Sequence, residues 1–560
     1  MAPLYVRACS SPNQSPTAAP LLPSSASISA FIASDPALTL LHTRCASMAH
    51  LRQLHAALVK SGLAKDPIAA SRAVAFCAGP GRDVAYAERI VRHHPKPNSF
   101  MWNTVIRALS DGAAPEAAVA LFVDMLSSPV TPDRRTFPSL FAAYARLGGG
   151  RDGTALHGMA LKLGVAGDAY VRNATIAMYA SRGAADEATA LFARCAEFDV
   201  VACNSVIVAL ARAGRVDGAR AVFDGMPDRT VATWSAMVSA YARASRCSEV
   251  LALFSEMQAD GVEPNANVLV SVLGCCASLG ALEQGAWVHA YIDRHGVAMN
   301  ALVVTALVDM YCKCGSIHKA REVFETARSQ GLAKLASWNS MMQGLAVHGQ
   351  WREAVALFSE LESYGLNPDN VTFIAVLTAY GHSGMPDEAK AAFASMASEH
   401  NVVPGIEHYG CLVDALARAG RLQEAEDVIQ AMPMAPDAAV WGALLSGCRL
   451  HGDTELGARA AREAVRCDPR DSSAYVLAAS VLAREGDAGR GAGVRGQMRE
   501  AGVGKVPGCS MIEVNGVVHE FLLMRITLIS MLKLGKKFHF HTSNMNLSLK
   551  QEQDTFDILS

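Results

Sequence analysis

Residues Leu335–Asp369, LASWNSMMQGLAVHGQWREAVALFSELESYGLNPD, carry two apolar stripes in succession. Trp338, Met341, Met342 and Leu345 fall at i, i+3, i+4 and i+7, the spacing of one buried helical face. His348-Gly349 ends that helix, because glycine takes the left-handed conformation at little steric cost. Ala354, Leu357, Phe358 and Leu361 form the second stripe and leave Arg352, Glu353 and Glu360 for solvent. Gly365 and Pro368 stop it. Two helices of this length cannot bury both stripes alone, so the unit requires neighbours of its own kind.

The chain supplies them. An aromatic residue or Cys followed by Asn, Ser or Gly opens an apolar turn at Trp102-Asn103, Cys203-Asn204, Trp234-Ser235, Trp338-Asn339 and Trp441-Gly442. A second motif has its own schedule: LRQLHAALVKSG from Leu51, GTALHGMALKLG from Gly153 and GAWVHAYIDRHG from Gly285. Its histidines, His55, His157 and His289, are 102 and 132 residues apart. AMYASRG from Ala177 and DMYCKCG from Asp309 repeat the 132-residue step. Units of about 31 and 35 residues in rotation account for these intervals. They run 34–66, 67–98, 99–133, 134–168, 169–199, 200–230, 231–265, 266–300, 301–334, 335–369, 370–405 and 406–437. Unit 301–334 carries an insertion near Ser329-Gln330-Gly331, and two further helical pairs follow at 438–471 and 472–505. Turn glycines stand early in many units, at Gly112, Gly183, Gly214, Gly315, Gly349, Gly384 and Gly420.

Composition narrows the function classes. A chain of 560 residues exceeds one ordinary core and demands several domains or a solenoid. With 18% charged residues and a formal net charge of −2, it is no generic electrostatic binder of nucleic acid, which leaves a local basic groove open. Its 14 cysteines include no C-x-x-C pair, so they read as buried thiols of a reducing compartment rather than a disulfide framework. No run of about 18 uncharged apolar residues occurs, so no membrane span is expected. Residues 1–33 are mostly Ser, Ala and Pro, include Arg7 and contain no acidic residue, the composition of an organelle transit peptide.

These motifs resemble the plant pentatricopeptide-repeat proteins of the subclass that alternates long and short repeats. The resemblance is carried by FMWNTVIRAL from Phe100, VDMYCKCGSIHKAREVF from Val308, VTFIAVLTAYGHSGMPDEAKAAF from Val371 and EHYGCLVDALARAGRLQEAEDVI from Glu407. VWGALLSGCRLHGDTELGARAA from Val440 resembles the E-type extension after the last repeat, and VPGCSMIEVNGVVHEF from Val506 the short tail beyond it. It implies an all-α fold, a right-handed superhelical α-solenoid of helix-turn-helix repeats over 34–437, with the extension at 438–505 and its tail at 506–523. From Met524 to Ser560 the likeness ends, and that segment reads as a divergent, poorly ordered extension.

The resemblance also implies that single-stranded RNA lies along the stack, about one base per unit, read by the fifth and last residues of each. Asparagine offers a base edge both a donor and an acceptor, a small Ser or Thr leaves room for a purine, and an ionised Asp only accepts. Carried over, Asn103 with Asp133, Asn173 with Asp199, and Asn339 with Asp369 select uracil. Asn204 with Thr230 selects a pyrimidine, Ser71 with Asn98 and Ser235 with Asn265 adenine, and Thr305 with Lys334 a purine. Pro138, Val270 and Ile374 hold fifth places without hydrogen-bonding capacity and support RNA only by contact.

Catalytic signals are absent from the text of the chain. The zinc deaminase of many relatives needs His-x-Glu and a later Cys-x-x-Cys, whereas His519-Glu520 lacks the spacer and no cysteine follows His539 or His541. Cys312-Lys313-Cys314 falls at a helix–turn junction, and Gly148-Gly149-Gly150 lacks the ending of a phosphate loop. His55, His157 and His289 are repeat-position residues, better explained by packing than by catalysis. No cofactor or metal site is expected, and no enzymatic activity. The resemblance implies a site-recognition factor for C-to-U editing in an organelle, mitochondrion before chloroplast. A deaminase-bearing repeat protein or editing accessory factor would dock on the C-terminal extension. Splicing, transcript stability or translation is the alternative outcome of RNA binding, and a protein-binding scaffold the alternative of another class.

Overall fold

The computed structural model describes residues 30–147, 153–194, 199–483, 488–504, 509–514 and 517–522. Most of the leader composition, Gly148–Gly150 and the extension from Met524 lie outside them. The described residues form helical pairs, here called a leading and a trailing helix, such as Ser99–Asp111 with Pro115–Leu126 and Leu335–Val347 with Trp351–Ser363. By contact the chain divides into two compact units, Met1–Ala244 with Asp260–Glu263, and Ser245–Ala259 with Pro264–Ser560. Each unit follows the same plan. A leading helix packs on its own trailing helix and on the next leading helix, as Ser99–Asp111 does on Thr136–Leu147 and Leu335–Val347 on Asn370–His382.

Aromatic side chains lock successive pairs together. Trp234 and Trp338, on leading helices, are fully buried. Each meets the edge of a phenylalanine from the preceding trailing helix: Phe223 at 4.9 Å between centroids and Phe324 at 5.0 Å. Burying one such ring contributes about 1.5–3 kcal/mol, which a lone pair of helices could not recover. Phe358 is half-buried and sets its edge against Phe373 of the next leading helix at 5.6 Å.

Histidines fasten other joints of the stack. His55 Nδ1 lies 2.8 Å from the Tyr86 hydroxyl, His157 Nδ1 3.2 Å from that of Tyr179, and His289 Nδ1 3.0 Å from that of Tyr311. Each tyrosine belongs to the following pair, so these rings act as staples between repeats. On the exposed side, trailing helices are bridged by Arg92–Asp124 at 2.9 Å and Arg328–Glu360 at 2.6 Å. Such exposed pairs stabilise by about 0–1 kcal/mol each, so the apolar joints dominate.

The turns follow the glycine expectation with two departures. Gly349 has φ of 75°, and Gly183, Gly214, Gly315, Gly384 and Gly420 are likewise left-handed. Gly112 is not: its φ is −78°, and the next helix begins with Pro115, whose preset φ lets the chain turn without a left-handed residue. Ser245 takes the left-handed place, φ 57°, two residues past the leading helix Val231–Arg243.

Beyond the helices, Cys509–Val514 pairs antiparallel with Val517–Leu522, from Cys509 opposite Leu522 to Val514 opposite Val517. Asn515-Gly516 stands between them in sequence, the dipeptide most favoured in a two-residue hairpin turn. Among the described residues no helix is long and apolar enough to cross a membrane.

Candidate nucleic-acid interface

The fifth residue of a unit lies one turn into its leading helix, and the last residue is where the next leading helix starts. Neighbouring leading helices pack side by side, and the two positions meet across the joint at Ser71–Asn98, Asn103–Asp133 and Asn339–Asp369. Asn103 Nδ2 donates to Asp133 Oδ1 at 2.9 Å, and the Thr136 hydroxyl lies 2.7 Å from Asn103 Oδ1. The same arrangement recurs in the other unit. Asn339 Nδ2 donates to Asp369 Oδ1 at 3.0 Å, and the Thr372 hydroxyl lies 2.8 Å from Asn339 Oδ1. Asp369 also accepts the Thr372 N–H at 2.9 Å, while its own N–H donates to Thr372 Oγ1 at 3.1 Å. Asn339 is 4% exposed, so one edge of its amide is committed to the protein.

The remaining pairs differ. Asn98 Nδ2 donates to Ser71 Oγ at 3.2 Å, and the Ser71 hydroxyl donates to the Pro67 carbonyl at 2.5 Å. Asn173 Oδ1 and Asn204 Oδ1 are buried without a hydrogen-bond partner. Their companions serve the next helix: Asp199 accepts from the N–H groups of Val201 and Ala202 at 2.8 and 3.2 Å, and Thr230 from that of Thr233 at 3.4 Å. Ser235 belongs to the first compact unit and Asn265 to the second, where Asn265 accepts from Val268 N–H at 3.0 Å. Thr305 donates to the Ala301 carbonyl of its own helix at 2.7 Å, and Lys334 is exposed with no capping bond. Pro138, Val270 and Ile374 are half-buried.

Two features escaped the sequence reading. The last residue is the N-cap of the following helix even where the fifth residue has no polar side chain. Asp66, Asp168, Asn300 and Asp437 all accept backbone N–H groups of the next leading helix. The second residue of many units is a large exposed apolar group: Phe100, Tyr170, Val201, Leu302 and Val371 are 48%, 79%, 60%, 52% and 53% exposed. Each stands three residues before a fifth position and therefore shares its helical face. That spacing, an apolar residue on an otherwise polar face, was the available signal.

Around Asn103 these parts enclose a pocket of about 140 Å³ lined by Phe100, Asn103, Arg107, Asp133 and Arg135 among others. An exposed ring, an amide, a carboxylate and two guanidinium groups surround one space, a set with the chemistry to stack a planar ring, hydrogen-bond its edge and pair with an anion. A second pocket, about 350 Å³, has Gly410 at the fifth position of unit 406–437, with Glu407, Asp414 and Asp437 beside it. The larger cavity of about 460 Å³ contains no fifth- or last-position residue and holds the His289–Tyr311 staple with Asp293, Lys319 and Glu322. Burial lowers the His289 pKa there and pushes Tyr311 up to about 12. Cys312 and Cys448 are also pushed up to about 12 by burial, the behaviour of packed rather than reactive thiols. Among the described residues no three His, Cys, Asp or Glu side chains gather as metal ligands do.

Comparison with known proteins identifies this architecture. The PPR repeat family matches residues 97–146 and 334–382. Single PPR repeats match 201–231, 232–262, 303–332, 371–400 and 407–435, and the E motif matches 451–513. A pentatricopeptide repeat-containing protein of Arabidopsis thaliana named as chloroplastic is 50% identical over 505 residues, covering 90% of this chain and 89% of its own. Another from the same organism, named as mitochondrial, is 35% identical over 601 residues, covering 88% and 87%. Among solved structures, the pentatricopeptide repeat protein PPR10 from maize aligns over 86% of this chain and 77% of its own, at 19% identity and a TM-score of 0.44. The chain belongs to the pentatricopeptide-repeat family.

Proposed function

We propose that this family member binds single-stranded RNA of an organelle in a sequence-specific way and marks a site for C-to-U editing, the deaminase being supplied by another protein. The observation that carries the reading is the repeated bridge, Asn103 to Asp133 and Asn339 to Asp369, beside an exposed second residue at Phe100. An Asp oxygen accepts the ring N–H of uracil while the amide N–H meets a uracil carbonyl. The second residues supply apolar faces on which a base stacks whatever its identity. One good bidentate base contact discriminates by about 1–3 kcal/mol, so four to six readers at the low end give about 4–8 kcal/mol, enough to pick one site in a small transcriptome. The names of the relatives, chloroplastic and mitochondrial, support an organelle address. The match to the E motif supports a docking role for the extension, with the chemistry performed in trans.

Binding to synthetic RNAs tests the first half. The sequence assigned by the reader pairs should bind more tightly than a scrambled one, and equal affinity would favour a protein-binding scaffold. Organelle transcripts from a plant lacking the protein test the second half. At least one C-to-U site should go unedited; altered transcript lengths with intact editing would instead favour a splicing or stability role.

A further inference from the structure

Resting on the reading of Asn and Asp as base readers, we propose that Thr136 and Thr372, each third in the following unit, are positioning residues for the reader amide. Through them, units 99–133 and 335–369 separate uracil from cytosine more strictly than units 169–199 and 200–230.

An asparagine amide has a donor side and an acceptor side, and a half-turn exchanges them. The acceptor-only carboxylate of Asp369 draws Asn339 Nδ2 toward it. Thr372 Oγ1 accepts the Asp369 N–H at 3.1 Å, which leaves its own proton for the Asn339 oxygen at 2.8 Å or the Asp369 oxygen at 2.9 Å. Thr136 repeats this, 2.7 Å from Asn103 Oδ1 and 3.3 Å from Asp133 Oδ1. Both threonines are fully buried. With that proton on the nearer acceptor, the asparagine oxygen, the amide oxygen is engaged on the protein side, and an incoming base meets the second amide N–H and the other carboxylate oxygen. Uracil, with a ring N–H beside a carbonyl, matches that pair of partners. Cytosine presents an unprotonated ring nitrogen where the carboxylate needs a donor, and its amino group finds the amide oxygen held toward the threonine hydroxyl.

Two other units lack the arrangement for different reasons. Behind Asp199 the equivalent residue is Ala202, which has no hydroxyl, and Asn173 Oδ1 is buried without a partner. Behind Thr230 the equivalent is Thr233, whose hydroxyl lies 3.1 Å from that of Thr230, and Asn204 Oδ1 is again unpartnered. An amide whose buried oxygen lacks a partner gains by turning that oxygen toward a donor, and the cytosine amino group is one.

The full chain and a set of synthetic RNAs test this, with uracil or cytosine at each position in turn. The base facing unit 335–369 is the position where Asn339→Ala lowers discrimination. There, Thr372→Val should reduce the uracil-to-cytosine affinity ratio by about threefold to tenfold, the effect of one hydrogen bond. Thr372→Ser should retain the ratio, and the base facing unit 99–133 should keep its own. Conversely, Ala202→Thr should raise the ratio at unit 169–199. An equal loss of affinity for both bases in Thr372→Val would mark the hydroxyl as a helix cap alone and overturn the proposal, as would an unchanged ratio. If Asn339→Ala shifts discrimination nowhere, the reader assignment itself falls, and this inference with it.

Discussion

Gly344 faces Cys312 across neighbouring leading helices with no room for a methyl group. A Cβ on Gly344 would stand 2.7 Å from the Cβ of Cys312 and closer still to its sulfur. The spacing of these two repeats is therefore set by a hydrogen atom. Gly344→Ala should destabilise the chain by about 1–3 kcal/mol from overpacking, although alanine is the better helix former by about 1 kcal/mol. Cys312→Ala in the same chain should recover part of the loss. Denaturant midpoints measure both.

Asp369 both caps a helix and faces Asn339, and two substitutions separate those roles. Asp369→Ala removes the cap and should cost about 0.5–2 kcal/mol of stability as well as the base preference. Asp369→Asn keeps a competent cap, so the unfolding midpoint should stay close to the parent value while preference for uracil at one position is lost. Thermal unfolding beside a base-by-base binding profile distinguishes them.

Acid should loosen the joints between repeats. Burial holds the imidazoles of His55, His157 and His289 below their ordinary pKa of 6.5. For His289, Asp293 and Glu322 pull upward and Lys319 pushes downward, without overcoming burial. The unfolded chain then binds more protons than the folded one below the ordinary pKa. Stability is fully present above that value and is lost as pH falls from it through the lowered folded values. The unfolding midpoint should hold steady from about pH 8 to 7 and decline between about 6.5 and 5, less steeply in His157→Gln.

Arg107 and Arg135 line the pocket at Asn103 and hold neither a fifth nor a last place. Arg107→Gln or Arg135→Gln should weaken matched and mismatched RNAs by a similar factor. Each should also reduce the slope of log affinity against log salt by about 0.7 if one phosphate contact is lost. Titrations at several salt concentrations check this.

Tyr170, 79% exposed, contributes little to the stack of helices. Tyr170→Ala should leave the unfolding midpoint unchanged and weaken RNA binding by about 1–3 kcal/mol, the worth of one stacked base, with no change in base preference. Calorimetry of folding and of binding on the same variant separates the two effects.

The stack was legible where burial and turn chemistry leave letters behind. Trp338 with Met341, Met342 and Leu345 announces a buried face, and Gly349 its end; all four are buried and the glycine is left-handed. Ser245 was invisible because a serine gives no sign of a positive φ, and Gly112 misled because Pro115 does the turning instead. The candidate pairs could be named from the sequence as positions, but their contacts could not. Asn103 and Asn173 read alike in sequence, yet one amide oxygen meets a hydroxyl and the other none, a difference set by Thr136 against Ala202 in the next unit. Leu302 and Val371 are drawn from the letters that fill the core, so only their spacing, three residues before a fifth position, marked them as facing outward.

The sharing of one residue between two repeats restricts how such a chain can change its target. A fifth residue belongs to one helix and tolerates Asn, Ser, Thr, Pro, Val, Ile, Leu or Gly in this protein. The last residue must also begin the next helix, and where it caps, it is drawn from Asp, Asn and Thr. Lys334 and Gly405 step outside that set, and both helices that follow start without a side-chain cap. Retargeting by mutation thus has a wide alphabet at one position of each pair and a very short one at the other. New RNA preferences should arise chiefly through the fifth residue, with the last switching among three letters.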